Sequence, residues 1–153
     1  MPALFTLKKK KKKGHKTMIE VLSTTAVTVE SGQAVPFALT AVKGGCAERH
    51  RARSAQITLT KPGRYLVTYS GNVAVPTGGT AGEIDFAIAR GNEAILGTTM
   101  RATPAAVEQY FNTSTQTYVD VYPCCCETIT VKNIGTAAAL VDNPNLTAVR
   151  VCG

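Results

Sequence analysis

The stretch KPGRYLVTYSGNVAV, residues 61–75, decides most of what this chain can become. Tyr65, Val67, Tyr69, Val73 and Val75 share one face, and Leu66, Thr68, Ser70 and Asn72 share the other. A period of two is that of an extended strand, whose successive side chains point to opposite sides. The Pro-Gly pair before it presets a turn. The same grammar runs through the rest of the chain. Residues 19–29 are rich in Val and Thr and predict a first strand, ESGQ at 30–33 a turn, and 35–42 a second strand. KGGCAERHRARS at 43–54 predicts a polar loop with four bases. QITLT places Ile57 and Leu59 inward, EIDFAIAR places Ile84, Phe86 and Ile88 inward, and Gly91-Asn92 predicts a hairpin turn. Residues 101–111 fit a single helical turn or an irregular crossing. Strands are expected at 113–122, with Val119 and Val121 opposite Tyr118, Asp120 and Tyr122, and at 127–133, with Ile129 and Val131 inward. PCCC at 123–126 makes the turn between them. A short strand at 134–141, a DNPN turn and a strand at 146–152 close the chain.

No window reads as an amphipathic helix longer than two turns. Eight to ten short strands without intervening helices exclude a parallel sheet and leave an antiparallel sandwich or jelly roll. The chain has 153 residues, enough for one domain with a real core. Aromatic residues are scarce at 6%, so that core must be built from Val, Ile, Leu and Ala. No stretch is long and apolar enough for a membrane-spanning helix.

The formal net charge of +7 is not spread over the chain. Lys8, Lys9, Lys10, Lys11, Lys12 and Lys13 form a block, and Lys16 follows. Removing these seven from the 17 Lys+Arg leaves 10, against 10 Asp+Glu, so the remainder is neutral. Residues 1–17 are therefore read apart from the domain, 18–153. Three readings stand: a disordered, solvated tail whose like charges repel, a basic arm for an anionic partner such as nucleic acid or an acidic capsid surface, or a mistranslated leader. The leader reading rests on lysine codons followed by glycine, which resemble a ribosome-binding site upstream of Met18. The neutral domain gives no reason to expect nucleic acid as its partner.

Several stretches resemble a known family. LTKPGRYLVTYSGNV is similar to the strand of tumour-necrosis-factor-like jelly rolls and complement globular heads in which a Pro-Gly turn leads into Tyr-x-Val/Phe-x-Tyr. FAIARGNEAI resembles the following strand and its hairpin. ITVKNIGTAAALVDNPNLTAVRV resembles the C-terminal end of bacterial and phage members. Together these cover roughly residues 18–152. Where animal members often carry Gly-Asp, this chain has PCCCE, and it looks like the short stand-alone proteins of phages and prophages of gut Firmicutes. The resemblance implies a tumour-necrosis-factor-like antiparallel two-sheet jelly roll that assembles as a homotrimer. It also implies that the first strand, the Tyr-x-Val-x-Tyr strand, the strand at 127–133 and the last strand face the three-fold axis. Tyr65, Tyr69, Tyr118, Tyr122, Ile129 and Val149 are the candidates for that interface; filling each protomer's own core is the alternative for every one of them.

Candidate chemistry is sparse. Cys124, Cys125 and Cys126 are consecutive, and adjacent residues of an extended chain point in opposite directions, so one protomer can hardly bring all three thiols to one ion. Structural zinc also prefers spaced pairs. Small turn residues, or a thiol cluster or interchain disulfide at a trimer axis, are the readings. Five cysteines, an odd count, and no export signal favour free thiols. Cys46 and His50, four apart, form a weak metal or thiolate–imidazole pair. Arg49, His50, Arg51 and Arg53 form a basic loop, either solvated or contacting an anion or glycan. With two histidines in the chain, no nucleophile motif and no phosphate-binding loop, neither an enzyme nor a cofactor is expected. The expected role is a structural and recognition protein of a virion: a head fibre, a capsid decoration or a tail-associated adhesin. It would contact its own copies, other capsid or virion proteins and a surface glycan through loops 43–54, 76–82 and 101–112. The alternative is a module of the bacterial cell or spore surface that binds carbohydrate or host protein.

Overall fold

The structure, a computed structural model, describes residues 17–44 and 48–152. It is all antiparallel, in two facing sheets. The first sheet has the order β10 (Phe111–Val121), β6 (Gly63–Ala74), β12 (Ala139–Cys152), β1 (Met18–Leu22), β3 (Leu39–Lys43), with β2 (Val27–Val29) also on β12. The second has the order β4 (Glu48–His50), β5 (Ile57–Leu59), β11 (Glu127–Asn133), β7 (Ile84–Arg90), β8 (Glu93–Ala94), with β9 (Met100–Ala102) also on β7. A single 3-10 turn, Leu96–Thr98, is the only helical element among the described residues.

The alternation around residues 65–75 becomes β6, with Tyr65, Val67, Tyr69, Gly71 and Val73 buried and Leu66, Thr68, Ser70 and Asn72 half-buried. β10 pairs with β6 along its whole length, from Phe111↔Val73 to Val121↔Gly63. The inward residues expected in the other sheet, Ile57, Leu59, Ile84, Phe86, Ile88, Ile129 and Val131, all lie in the core. Burying each such aliphatic or aromatic side chain contributes about 1.5–3 kcal/mol, the drive that presses the sheets together.

Polar groups close the turns. Gly91 and Asn92 both have positive φ, 57° and 71°, as a two-residue hairpin between paired Arg90 and Glu93 requires. Asn133 is buried: its Nδ2 donates to the carbonyls of Val29 and Ala137, and its Oδ1 accepts from the Gly135 amide, each at 3.0 Å. The Asn-x-Gly signature thus locks the end of β11 to the strand that follows. Gly71 lacks a side chain for a steric reason: the Tyr69 hydroxyl fills the space where its Cβ would project.

Five expectations are corrected. The strand at 19–29 is two strands, because Ser23 turns the chain: its amide donates to the Pro144 carbonyl (3.1 Å) and its Oγ accepts from Ala38 N (2.8 Å). The strand at 35–42 is shorter, because Phe37 N donates to Ser54 O instead of joining the ladder and leaves only β3. Part of the basic loop 43–54 is a strand, β4, which adds to the second sheet beside β5. The two closing strands and their DNPN turn are one strand, β12; the register shift between Asp142 and Asn145 absorbs Asn143 (φ 49°) and Pro144 as a bulge. The strand at 127–133 does not lie with the first and last strands, since the turn 123–126 carries the chain across to the second sheet.

Candidate assembly face and basic cleft

The outer face of the first sheet carries a band of large apolar side chains. Register aligns Tyr118, Leu66, Val149 and Met18 in one row across β10, β6, β12 and β1. Tyr118 is 63% exposed, and Leu39 and Val42 on the edge strand β3 are also exposed. The neighbouring row, Gln116, Thr68, Thr147 and Glu20, is polar. It is tied down where Asn145 Nδ2 donates to Glu20 Oε1 at 2.7 Å. At the β10 end, Arg64 and Asp120 form an ion pair at 2.7 Å, and the guanidinium holds the Asp120 carboxyl below its ordinary range.

The six proposed interface residues divide. Tyr118 and Val149 lie in that apolar row, and Tyr122, 59% exposed, follows at the end of β10 beside Arg64 and Cys152. Tyr65, Tyr69 and Ile129 do not reach the surface: each is 0% exposed in the sandwich interior, so these three fill the core instead. Their parity decides it, since Tyr65 and Tyr69 alternate with outward-facing Leu66 and Thr68. The Tyr65 hydroxyl donates to the Lys61 carbonyl at 2.8 Å. Among the described residues the Tyr69 hydroxyl has no hydrogen-bond partner, and burial pushes its pKa up. Leu66 and Met18 face outward by the same parity that turns Tyr65 and Tyr69 in, a signal that the bulk of the tyrosines masks in the sequence.

Cys124, Cys125 and Cys126 are exposed free thiols in the turn after β10, with Cys124 at a positive φ of 65°; Cys152 is a fourth exposed thiol. Among the described residues no group of three His, Cys, Asp or Glu could hold a metal. Cys46 and the lysine run Lys8 to Lys13 lie outside the described residues, so the Cys46–His50 pairing and the tail readings do too.

The basic loop splits. Arg49, His50 and Arg51 join Lys43 around an open cleft of about 600 Å³ at the edge where β3 of one sheet meets β4 and β5 of the other. Arg53 (φ 68°) points elsewhere, into a smaller hollow with Ser23, Pro36 and Ala38. His50 is a fastener: Nε2 donates to the Ser54 carbonyl at 2.9 Å, and Nδ1 meets Thr40 Oγ1 at 2.8 Å. That contact stitches the two sheets together at the cleft. Beneath, Glu48 is fully buried, and among the described residues its carboxylate oxygens have no side-chain hydrogen-bond partner. Burial pushes its carboxyl up, partly offset by its own backbone amide and by Lys43 and Lys61. Loops 76–82 and 101–112 meet at one end of the sandwich, where Glu108 N donates to Val75 O at 2.9 Å and Thr77 Oγ1 donates to Glu108 Oε1.

No protein-family model and no curated protein matches the chain. Solved structures do. The globular domain of the zebrafish complement 1qA protein superposes with a TM-score of 0.66 at 10% identity, covering 89% of this chain and 98% of that one. Murine APRIL gives 0.66 at 12% identity, covering 89% and 99%. The PRD1 vertex protein P5 gives 0.53 at 17% identity, covering 90% and 97%. At such identities the likeness speaks for architecture, and the architecture is plain: an antiparallel two-sheet jelly roll of the tumour-necrosis-factor and complement-head type.

Proposed function

We propose that the protein is a non-enzymatic structural and recognition component of a virion that assembles as a homotrimer through the outer face of its first sheet. The observation that carries this reading is the row Tyr118, Leu66, Val149 and Met18, a continuous apolar band across four paired strands, flanked by exposed Leu39 and Val42 on β3. An exposed band of this kind is an association surface. A closed three-fold ring hides it on every copy by setting a different patch of the neighbour against it. The likeness to a vertex protein supports the virion setting; head fibre, capsid decoration and tail-associated adhesin are the roles such a trimer fills. Its partners would be its own copies and other capsid proteins.

Light scattering on the purified chain tests the assembly. The expected mass is three times the 16.1 kDa of one chain, and a monodisperse single-copy mass at micromolar concentration overturns it. Mass spectrometry of purified particles from a producing host tests the setting: the chain should be present at the copy number of a structural protein, and its absence from particles refutes the virion role. Non-reducing electrophoresis tests for a bridge between copies through Cys124, Cys125 or Cys126; a reductant-insensitive monomer band dismisses it.

A further inference from the structure

We propose that the edge cleft between β3, β4 and β5 binds an anionic oligosaccharide, one bearing sulfate or carboxylate groups. This deepens the recognition half of the reading above and rests on it.

The first argument is the distribution of charge. Arg64, Arg90 and Arg101 are each paired with a carboxylate, at 2.7, 2.8 and 2.9 Å. Lys43, Arg49 and Arg51 have no ion-pair partner among the described residues, and all three line one cleft. Arg53, Lys61, Lys132 and Arg150 also lack an ion-pair partner among the described residues, but they lie outside this cleft, which is where three unpaired cations meet. The one carboxylate nearby, Glu48, faces the core opposite Leu59 and is fully buried, so it cannot form an ion pair at the rim. The positive field of the cleft is left for an outside anion.

The second argument is the neutral chemistry between the cations. Gln56 offers an exposed amide that can donate and accept, and Thr58 and Ser54 line the same wall. Amides and hydroxyls match the alternating donors and acceptors of sugar hydroxyls. Among the described residues no Phe, Tyr or Trp lines the cleft, and the His50 ring is tied through both nitrogens to Thr40 and Ser54, so the cleft lacks the broad aromatic platform on which nucleobases stack. Affinity must then come from charge with hydroxyl recognition, which an acidic sugar supplies. The volume, about 600 Å³, lies within the usual range of small-molecule sites.

The third argument is rigidity. Arg49 sits on β4 directly opposite Thr58 on β5, and the His50 contacts clamp β4 to β3 and to the chain at Ser54. The cations are therefore presented by paired strands, which lowers the ordering cost of binding.

Calorimetric titration of the full chain tests this, with Lys8 to Lys13 replaced by Gln throughout to silence their own attraction for polyanions. The probes are a heparin-derived hexasaccharide, hexagalacturonate, maltohexaose and a six-nucleotide thymidine strand. At least one acidic sugar should bind, weakening with salt, while maltohexaose binds at least about tenfold less tightly. The combined K43A/R49A/R51A variant should lose about tenfold or more in affinity. Gln56→Ala should lose about threefold with an unchanged salt dependence, which a mere charged patch would not show. Binding by neither acidic sugar, an unaffected triple variant, an unaffected Gln56→Ala, or a thymidine strand bound as tightly as the sugar overturns the proposal. Light scattering on the same samples reads the assembly separately, so a failed cleft and a failed trimer are told apart.

Discussion

The two sheets alternate equally well, yet their outer faces differ in kind. On the second sheet the outward-parity residues are small or polar and mostly out of water: Ala87 and Ala89 on β7 and Thr130 on β11 are buried, Thr128 and Lys132 on β11 are half-buried, and Asp85 is held by Arg101 at 2.9 Å. On the first sheet the outward set includes Tyr118, Leu66, Val149, Met18 and Leu22. A face whose alanines and central threonine are already out of water is finished, whereas a half-exposed row of tyrosine, leucine, valine and methionine is not. Periodicity reports that a strand has two sides. Only the bulk of the outward residues reports which side is left with apolar surface in water.

The comparison breaks most visibly if a charge is placed on each face in turn. Tyr118→Arg should reduce the light-scattering mass from three copies to one, while Thr128→Arg on the other sheet leaves it unchanged; equal behaviour of the two variants would refute the distinction. Ile129→Ala sharpens the line between face and core. It should cost about 2–5 kcal/mol in urea denaturation, and single copies released by Tyr118→Arg should show the same loss. Gly71→Ala should cost about 1–3 kcal/mol by forcing the Tyr69 hydroxyl aside, and most of that loss should vanish in a Tyr69→Phe background. A fully additive pair of substitutions would show that the hydroxyl is not what excludes a side chain at Gly71.

The smallest effect concerns Glu48. Burial raises its pKa above the ordinary value of 4.5, so the fold favours the protonated carboxyl. Its contribution to stability is whole below pH 4.5 and is lost as pH rises through the folded value. Glu48→Gln should therefore change little at pH 4 and stabilise on the order of 1 kcal/mol at pH 8, because it removes an orphaned buried charge. Thermal melts at the two pH values check the sign.

Much of this was legible in the residues. The parity of 65–75, the Gly91-Asn92 hairpin and the inward sets of β5, β7 and β11 follow from local pattern, because a strand half-buried in a sandwich must alternate. What local pattern could not carry was partner choice. That β11 pairs with β5 and β7 depends on contacts far apart in sequence, and nothing in ETITVKN distinguishes one sheet from the other. The DNPN turn was misread for a related reason: Asn and Pro signal a reversal, but a bulge in a long strand uses the same residues. The basic loop was seen as a group, but its division into a cleft and a stray Arg53 hangs on the turn at 51–54, where Ser54 N donates to Arg51 O at 2.9 Å.

β12 sits in the middle of the first sheet, with β6 on one side and β1 on the other, and pairs Val149 with Met18 from the opposite end of the domain. A nascent chain therefore cannot complete that sheet until residues 139–152 have left the ribosome. Until then β1 and β6 each present a bare strand edge, and the long sequence separation slows closure. Those two bare edges are the places where one half-built domain can trade a strand with another, so the last strand to emerge is also the one that closes the domain against exchange.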